Sequence, residues 1–400
     1  MRSGAAPSDW SCARRLGYDA VVSQTHSHAE QRASDPAPPE PTPSASASDW
    51  PVVVEVTRGG EVESAHRGAI AVLSGEGEVE ASLGRISSRV FYRSAAKPFQ
   101  AIPLIESGAA DRYRLTPVEL AVIIGSHSGE AIHREAVRSI LAKADLSVEQ
   151  LQCGPHMPFD EATTKALRAA GERPDLLHNN CSGKHAGMLV LACHVGAPTE
   201  TYLDPTHPIQ RMILAHLAQF AGVREEEVGI AVDGCSAPVF AVPLEAMARS
   251  YARLVAPPDD LPESSREAAR RVVAAMIEAP EMVGGTRQRL DTDLMRALPG
   301  QIVSKVGAEG VQLLGLLPCA RYPRGLGIAI KVEDGDTRRA RDPVVLETLR
   351  QLGLFESGIP DSLAGYARSQ VTNHRRLPVG EVRPAFALTF GADPSSREGR

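Results

Sequence analysis

Ser94-Ala95-Ala96-Lys97 sets a hydroxyl and an amine three residues apart, one turn along the same face if a helix begins at Ser94. Such a lysine takes the serine proton only after losing its own, which burial beside a second cation favours. A helix N-terminus there would also steady negative charge on the oxygen. The plain alternative is a capping serine followed by an exposed lysine. Gly125-Ser126-His127-Ser128-Gly129 follows the apolar run Leu120–Ile124 and holds two hydroxyls in a compact loop. Its plain alternative is that Ser126 or Ser128 caps a helix over Glu130–Ala144. Ser304-Lys305-Val306-Gly307 falls on a late strand pattern. Serine acyl-enzymes with an S-x-x-K nucleophile also carry an S-x-N-type loop and a late-strand K-T-G. The same chain order stands here as S-x-x-K, S-H-S and K-V-G, and the trio is far more specific than any member.

Composition sharpens the lysines. Of 43 basic residues only six are Lys: Lys97, Lys143, Lys165, Lys184, Lys305 and Lys331. In a chain that uses Arg almost wherever a cation serves, a retained lysine offers what a guanidinium does not, the loss of a proton near neutral pH. Lys97 and Lys305 fall in the trio. Lys143, Lys165 and Lys331 read as ordinary surface charges.

A further stretch, Asn179-Asn180-Cys181-Ser182-Gly183-Lys184-His185, is followed later by Asp233-Gly234-Cys235-Ser236. Two cysteines with His and Asp nearby suggest zinc, but C-x-x-K is not a standard ligand pair and four good ligands are not visible. Buried free thiols are the default, and His185 and Cys193 on one helical pattern read equally well as core.

The elements that must position these residues are legible in outline. Val52–Val56, Ala69–Leu73 and Val79–Leu83 form an N-terminal antiparallel meander. Thr116-Pro117-Val118-Glu119 is a helix start, with cap hydroxyl, Pro at the first position and Glu reaching back. Helical patterns cover Glu130–Ala144, Lys184–Val195, Pro208–Ala221, Leu244–Leu254, Ser265–Glu278 and Pro343–Leu352. Strand patterns return at Gln301–Val306, Val311–Leu316, Gly327–Val332 and Val382–Phe390. Strands first, helices between, strands last: this order predicts an α/β sandwich whose mostly antiparallel sheet is built from both chain ends around a helical insertion. No phosphate-binding glycine motif is present, and Gly325-Leu326-Gly327 is too little to invoke one.

The 400 residues, 43% hydrophobic and 23% charged with net charge -6, describe an ordinary globular protein. Mild acidity argues against nucleic acid or an anionic membrane as partner, and no apolar run approaches the ~20 residues that span a bilayer. The start of the chain lacks the apolar core of a secretory signal. Six sparse cysteines fit reduced thiols in a cytoplasm better than a disulfide framework. Residues 1–50 read as a Pro/Ser-rich disordered tail, 51–393 as one catalytic domain, and 394–400 as a second tail.

Together these stretches resemble the thermolabile, rhizobial-type L-asparaginases, also called the type II asparaginase family, over about Val52–Phe390. The family's fold is similar to serine β-lactamases and glutaminases. The motifs that carry the likeness are Arg93 to Pro98, Ser126 to Ser128, Asn180 to His185, Asp233 to Cys235, Pro280 to Val283 and Lys305 to Gly307. The resemblance implies hydrolysis of L-asparagine to L-aspartate and ammonia through two Ser–Lys pairs, Ser94 with Lys97 and Ser126 with Lys305. It implies substrate-binding roles for Arg93 and Asp233, a zinc site of Cys181, Lys184 and Cys235, no organic cofactor, and a cytoplasmic homodimer. The tail lies outside the family pattern, and Ser236-Ala237-Pro238 departs from it at the pocket rim. Two other expectations stand beside this one: a serine amidohydrolase for glutamine or another small amide, and a non-catalytic zinc-binding protein on the same fold.

Overall fold

The computed structural model of the chain describes residues 50–355 and 357–391. Except for Trp50, the expected N-terminal tail lies outside the described residues, as does the C-terminal one. Trp50 itself is buried, its indole donating to Ser88 Oγ at 3.4 Å.

Strands β1 (Val52–Arg58), β2 (Glu61–Ser74) and β3 (Val79–Leu83) come from the N-terminal side. A small antiparallel sheet joins β4 (Arg89–Phe91), which follows β3, to β5 (Gly229–Val232) and β6 (Pro238–Pro243) from the middle of the chain. The C-terminal side adds β7 (Ile302–Val306), β8 (Val311–Leu316), β9 (Leu326–Val332), β10 (Ser369–Thr372), β11 (Pro378–Pro384) and β12 (Thr389–Phe390). The main sheet runs β10-β11-β1-β2-β9-β8-β7, with β3 on β2 and β12 on β3. Every pairing is antiparallel. The expected sandwich, with a sheet assembled from both chain ends, is therefore present.

Alternation along the central strands explains why the sheet is covered on both faces. Ala69, Ala71 and Leu73 of β2 join one core with Val311, Leu313 and Ala329. Ile70 and Val72 between them join the other with Leu314, Ile328 and Ile330. Emptying one such position, as in Ile330→Ala, costs about 2–5 kcal/mol.

The insertion supplies α1 (Lys97–Glu106), α2 (Ala109–Arg112), α3 (Pro117–Ile124), α4 (Ala131–Lys143), α5 (Glu161–Ala170) and α6 (Ser182–Val195). It continues with α7 (Pro208–Ala221), α8 (Leu244–Val255), α9 (Glu263–Glu278), α10 (Pro280–Val283) and α11 (Leu290–Ala297); α12 (Asp342–Gln351) follows the late strands. The Thr116 capping box forms as read, Thr116 Oγ1 accepting from Glu119 N and Glu119 Oε2 from Thr116 N. Gly327 has a packing role: a Cβ there would run into the Ala248 carbonyl of α8, which lies against β9. Gly183 does the same for the site, since its Cβ would strike the Val122 carbonyl where α6 begins against α3.

Some expectations need correcting. Val382–Phe390 is not one strand; β11 ends at Pro384 and β12 resumes at Thr389. Neither Ser126 nor Ser128 caps α4, whose Glu130 N–H is instead taken by His133 Nδ1 at 3.2 Å. Lys143 is no ordinary surface charge, because its ammonium meets buried Glu119 at 2.6 Å and donates to Arg114 O at 2.9 Å. Lys331 donates to Glu309 O at 2.6 Å and to two further carbonyls. Only Lys165, paired with Glu161 one turn away in α5, fits the surface reading.

Candidate active site

Ser94 lies in a single 3-10 turn, Arg93–Ala96, that leads into α1, where Pro98 sits at a position suited to its missing N–H. Arg93 takes a left-handed backbone, φ 51°, uncommon for a residue with a Cβ. Its guanidinium donates to Asp233 Oδ1 at 3.0 Å from Nε and stands 2.9 Å from it through Nη2. Asp233 opens the tight turn between β5 and β6, closed by Ser236 N–H donating to Asp233 O at 2.9 Å. The two residues expected to bind substrate are thus paired with each other beside Ser94.

Lys97 is buried at the first position of α1. Its ammonium donates to Gly125 O at 2.5 Å, Ser126 Oγ at 3.1 Å and Asn180 O at 3.2 Å. Lys305, on β7 opposite Leu313, reaches the same Ser126 Oγ at 2.8 Å and its neighbour's carbonyl, Val306 O, at 2.9 Å. Three of the four residues of the proposed pairs meet, Lys97 and Lys305 on Ser126, while Ser94 lines the same cleft without a hydrogen bond to Lys97. Ser94 Oγ makes no hydrogen bond among the described residues, and both lysines converge on Ser126. Ser94, Ser126, Asn180, Arg289, Val306 and Gly307 line one cleft.

Burial pushes the Lys97 amine down, Lys184 adds to the push, and the Cys181 and Cys235 sulfurs oppose it. Lys305 is driven well below the ordinary lysine range, again first by burial, with Lys97 and Arg289 adding and Asp291 opposing. Two buried ammonium groups on one hydroxyl repel, so the arrangement favours a neutral amine among them.

Cys181, at the start of α6, and Lys184 one turn on are brought to Cys235 by the β5–β6 turn. Lys184 Nζ lies 3.0 Å from Cys235 Sγ. A hydrogen bond from Cys235 holds Cys181 well below the ordinary thiol range despite burial, with Lys97 and Lys184 assisting. Burial works against the Lys184 ammonium, but the two sulfurs outweigh it and raise its pKa. Two thiols and an amine at one point are donors of the soft N/S kind that zinc takes, so the residues fit the ion, provided that Lys184 sheds its proton on binding. Among the described residues no group of three His, Cys, Asp or Glu forms a metal site. His185 is not part of the cluster's bonding; its Nδ1 lies 2.6 Å from the Tyr202 hydroxyl. The five described cysteines are free thiols.

Two residues escaped sequence reasoning. Arg289 donates to Ser126 O at 2.8 Å, Ser128 Oγ at 2.8 Å and Gly284 O at 3.0 Å, tying down the Ser126 loop. Asp291 lies buried beside Lys305's strand. Neither sits in a motif, and no local signal marks a helix start as part of a distant site.

Residues 54–384 match the model of the L-asparaginase II family. The chain belongs to the L-asparaginase II family. Membership makes the chain an amidohydrolase with a small-molecule substrate. No curated protein matches it. Among solved structures, one of Mglu is 18% identical and overlaps 74% of this chain and 69% of its own, with a TM-score of 0.40. A probable glutaminase from Bacillus subtilis complexed with 6-diazo-5-oxo-L-norleucine is 14% identical over 72% of this chain and 84% of its own, TM-score 0.36. Likenesses this loose say nothing of the chemistry of this chain. None of its described helices is long and apolar enough to cross a membrane.

Proposed function

We propose that the protein is an L-asparaginase that cleaves the side-chain amide of L-asparagine through a seryl ester. The observation that carries this reading is the convergence of two buried lysines on Ser126 in the cleft that Ser94 lines. Ser94 Oγ attacks the amide carbon while its proton passes to the neutral amine of Lys97. Hydrogen bonds of this kind are often made only once substrate is bound. Lys305, through Ser126, gives a proton to the departing nitrogen, which leaves as ammonia. Water then opens the ester, releasing L-aspartate and restoring Ser94, and the proton taken up by Lys97 returns to Lys305 through the Ser126 hydroxyl that both lysines hold. Arg93 and Asp233, paired with each other beside Ser94, are the groups for the substrate's carboxylate and ammonium.

The zinc implied by the resemblance would be held by Cys181, Lys184 and Cys235. When bound it supplies a fixed positive charge beside the cleft. A cytoplasmic homodimer completes the reading, and sedimentation of the purified chain tests the dimer.

Ammonia release from L-asparagine, L-glutamine and other small amides tests the activity. Turnover of glutamine well above asparagine would replace the substrate, and no turnover of any amide would leave the zinc-binding reading. One observation favours a second assignment of roles: the hydroxyl held by both lysines is Ser126, not Ser94. Trapping the ester and mapping it to one serine decides between them. Full activity in Ser94→Ala would remove Ser94 as nucleophile.

A further inference from the structure

Asp291 is an acidic side chain that packing has shut away from water, 2% exposed in the first turn of α11. A buried carboxylate is costly unless its oxygens are fully engaged. Here Ser304 Oγ donates to Oδ1 at 2.7 Å, Gln312 Nε2 to Oδ1 at 2.8 Å, and Val306 N–H to Oδ2 at 2.9 Å. Ser304 and Val306 are the two neighbours of Lys305. β7 is an edge strand, so the Val306 N–H facing away from β8 has no strand partner; Asp291 supplies one. The carboxylate therefore grips the strand on either side of Lys305 without an ion pair to it.

The charges around Lys305 give that grip a second meaning. Lys97 on α1, Arg289 at the head of α11, Cys181 at the start of α6 and Asp291 face it. Of these Arg289 is cationic, Lys97 becomes so once it has taken the serine proton, and Cys181 belongs to the thiol cluster, which leaves Asp291 as the carboxylate. Its ionised form is held despite burial, with Lys305 the foremost of the groups that hold it.

We propose that Asp291 is a positioning residue of the Ser126–Lys305 pair, fixing Lys305 in register on β7 and supplying the buried negative charge that keeps its ammonium able to donate. The inference rests on Lys305 as proton donor. A donor must be protonated, so activity falls as pH rises through its pKa. Removing a nearby negative charge makes the ammonium easier to lose.

The test is the alkaline limb of the kcat–pH profile in Asp291→Asn. The limb should move about one pH unit toward lower pH, beyond any fall in amplitude. Ser304→Ala, which removes one donor but keeps the carboxylate, should leave the limb in place. If Lys305→Met keeps wild-type turnover, the proton-donor reading fails. If Lys305→Met is inactive and Asp291→Asn leaves the limb unmoved, Asp291 merely fastens the strand and only this proposal is overturned. Should Asp291→Asn fail to fold, Asp291→Asn combined with Lys305→Met decides. Folding recovered by removing both charges supports the coupling, and folding that is not recovered overturns it.

Discussion

Lys97 and Lys305 donate to one oxygen, Ser126 Oγ, at 3.1 and 2.8 Å. One comes from the first turn after the N-terminal strands and the other from a late edge strand. Their meeting is the structural fact on which the chemistry turns, and it separates the lysines by function.

Lys97→Arg and Lys305→Arg should each lose about 10²–10⁴-fold in kcat, because a guanidinium does not shed its proton near neutral pH. Lys165→Arg, on an exposed helix face, should keep wild-type turnover. Steady-state ammonia release measures all three, and an active Lys97→Arg would refute the neutral-amine role.

Glu119 sets up a pH-dependent difference in stability. Burial raises its pKa, but Lys143, Thr116 N–H and Ser139 Oγ outweigh that and hold it below its ordinary 4.5. A depressed folded pKa contributes stability that is fully present above the unfolded value and lost as pH falls through the folded one. Glu119→Gln should therefore cost about 1–3 kcal/mol at pH 7. The gap to wild type should close in acid below the ordinary value. Urea unfolding at neutral and acidic pH reads both; an equal gap at each would count against the ionised role.

Gly183→Ala should destabilise by about 1–3 kcal/mol, since its Cβ meets the Val122 carbonyl rather than a yielding side chain. Because α6 carries Lys184, and Cys181 sits just before its first turn, metal affinity should fall with stability. Denaturant midpoint and zinc titration follow the two; an unchanged midpoint would mean that the helices separate freely.

Zinc removal should lower the melting temperature of the wild type and not that of Cys235→Ser, which lacks one donor. Anything that binds the folded chain alone stabilises it by mass action. A melt unaffected by chelator in metal-loaded wild type would remove the structural role of the ion.

How much of this was legible beforehand depends on the range of the interaction involved. The Thr116-Pro117-Glu119 start and the β8 pattern Val311–Leu316 were readable because caps and alternation act within a few residues. The pattern Val382–Phe390 spans two strands, because its apolar residues carry no sign of the break at 385–388. The small sheet β4–β6–β5 leaves little trace in the sequence because its strands are short and their partners distant.

The sequence by itself determined which residues are chemically capable: six lysines set against a background of arginine, three of them in an ordered serine–lysine trio and a cysteine stretch. Local elements and family membership follow from the same information, because capping, periodicity and motif spacing are properties of neighbouring residues. Only the tertiary structure decided that Lys97 reaches Ser126 rather than Ser94, that Lys143 serves a buried glutamate, and that Asp291 stands beside Lys305. Buried charges are balanced by whatever the fold brings within a few ångströms, and that company is drawn from the whole chain.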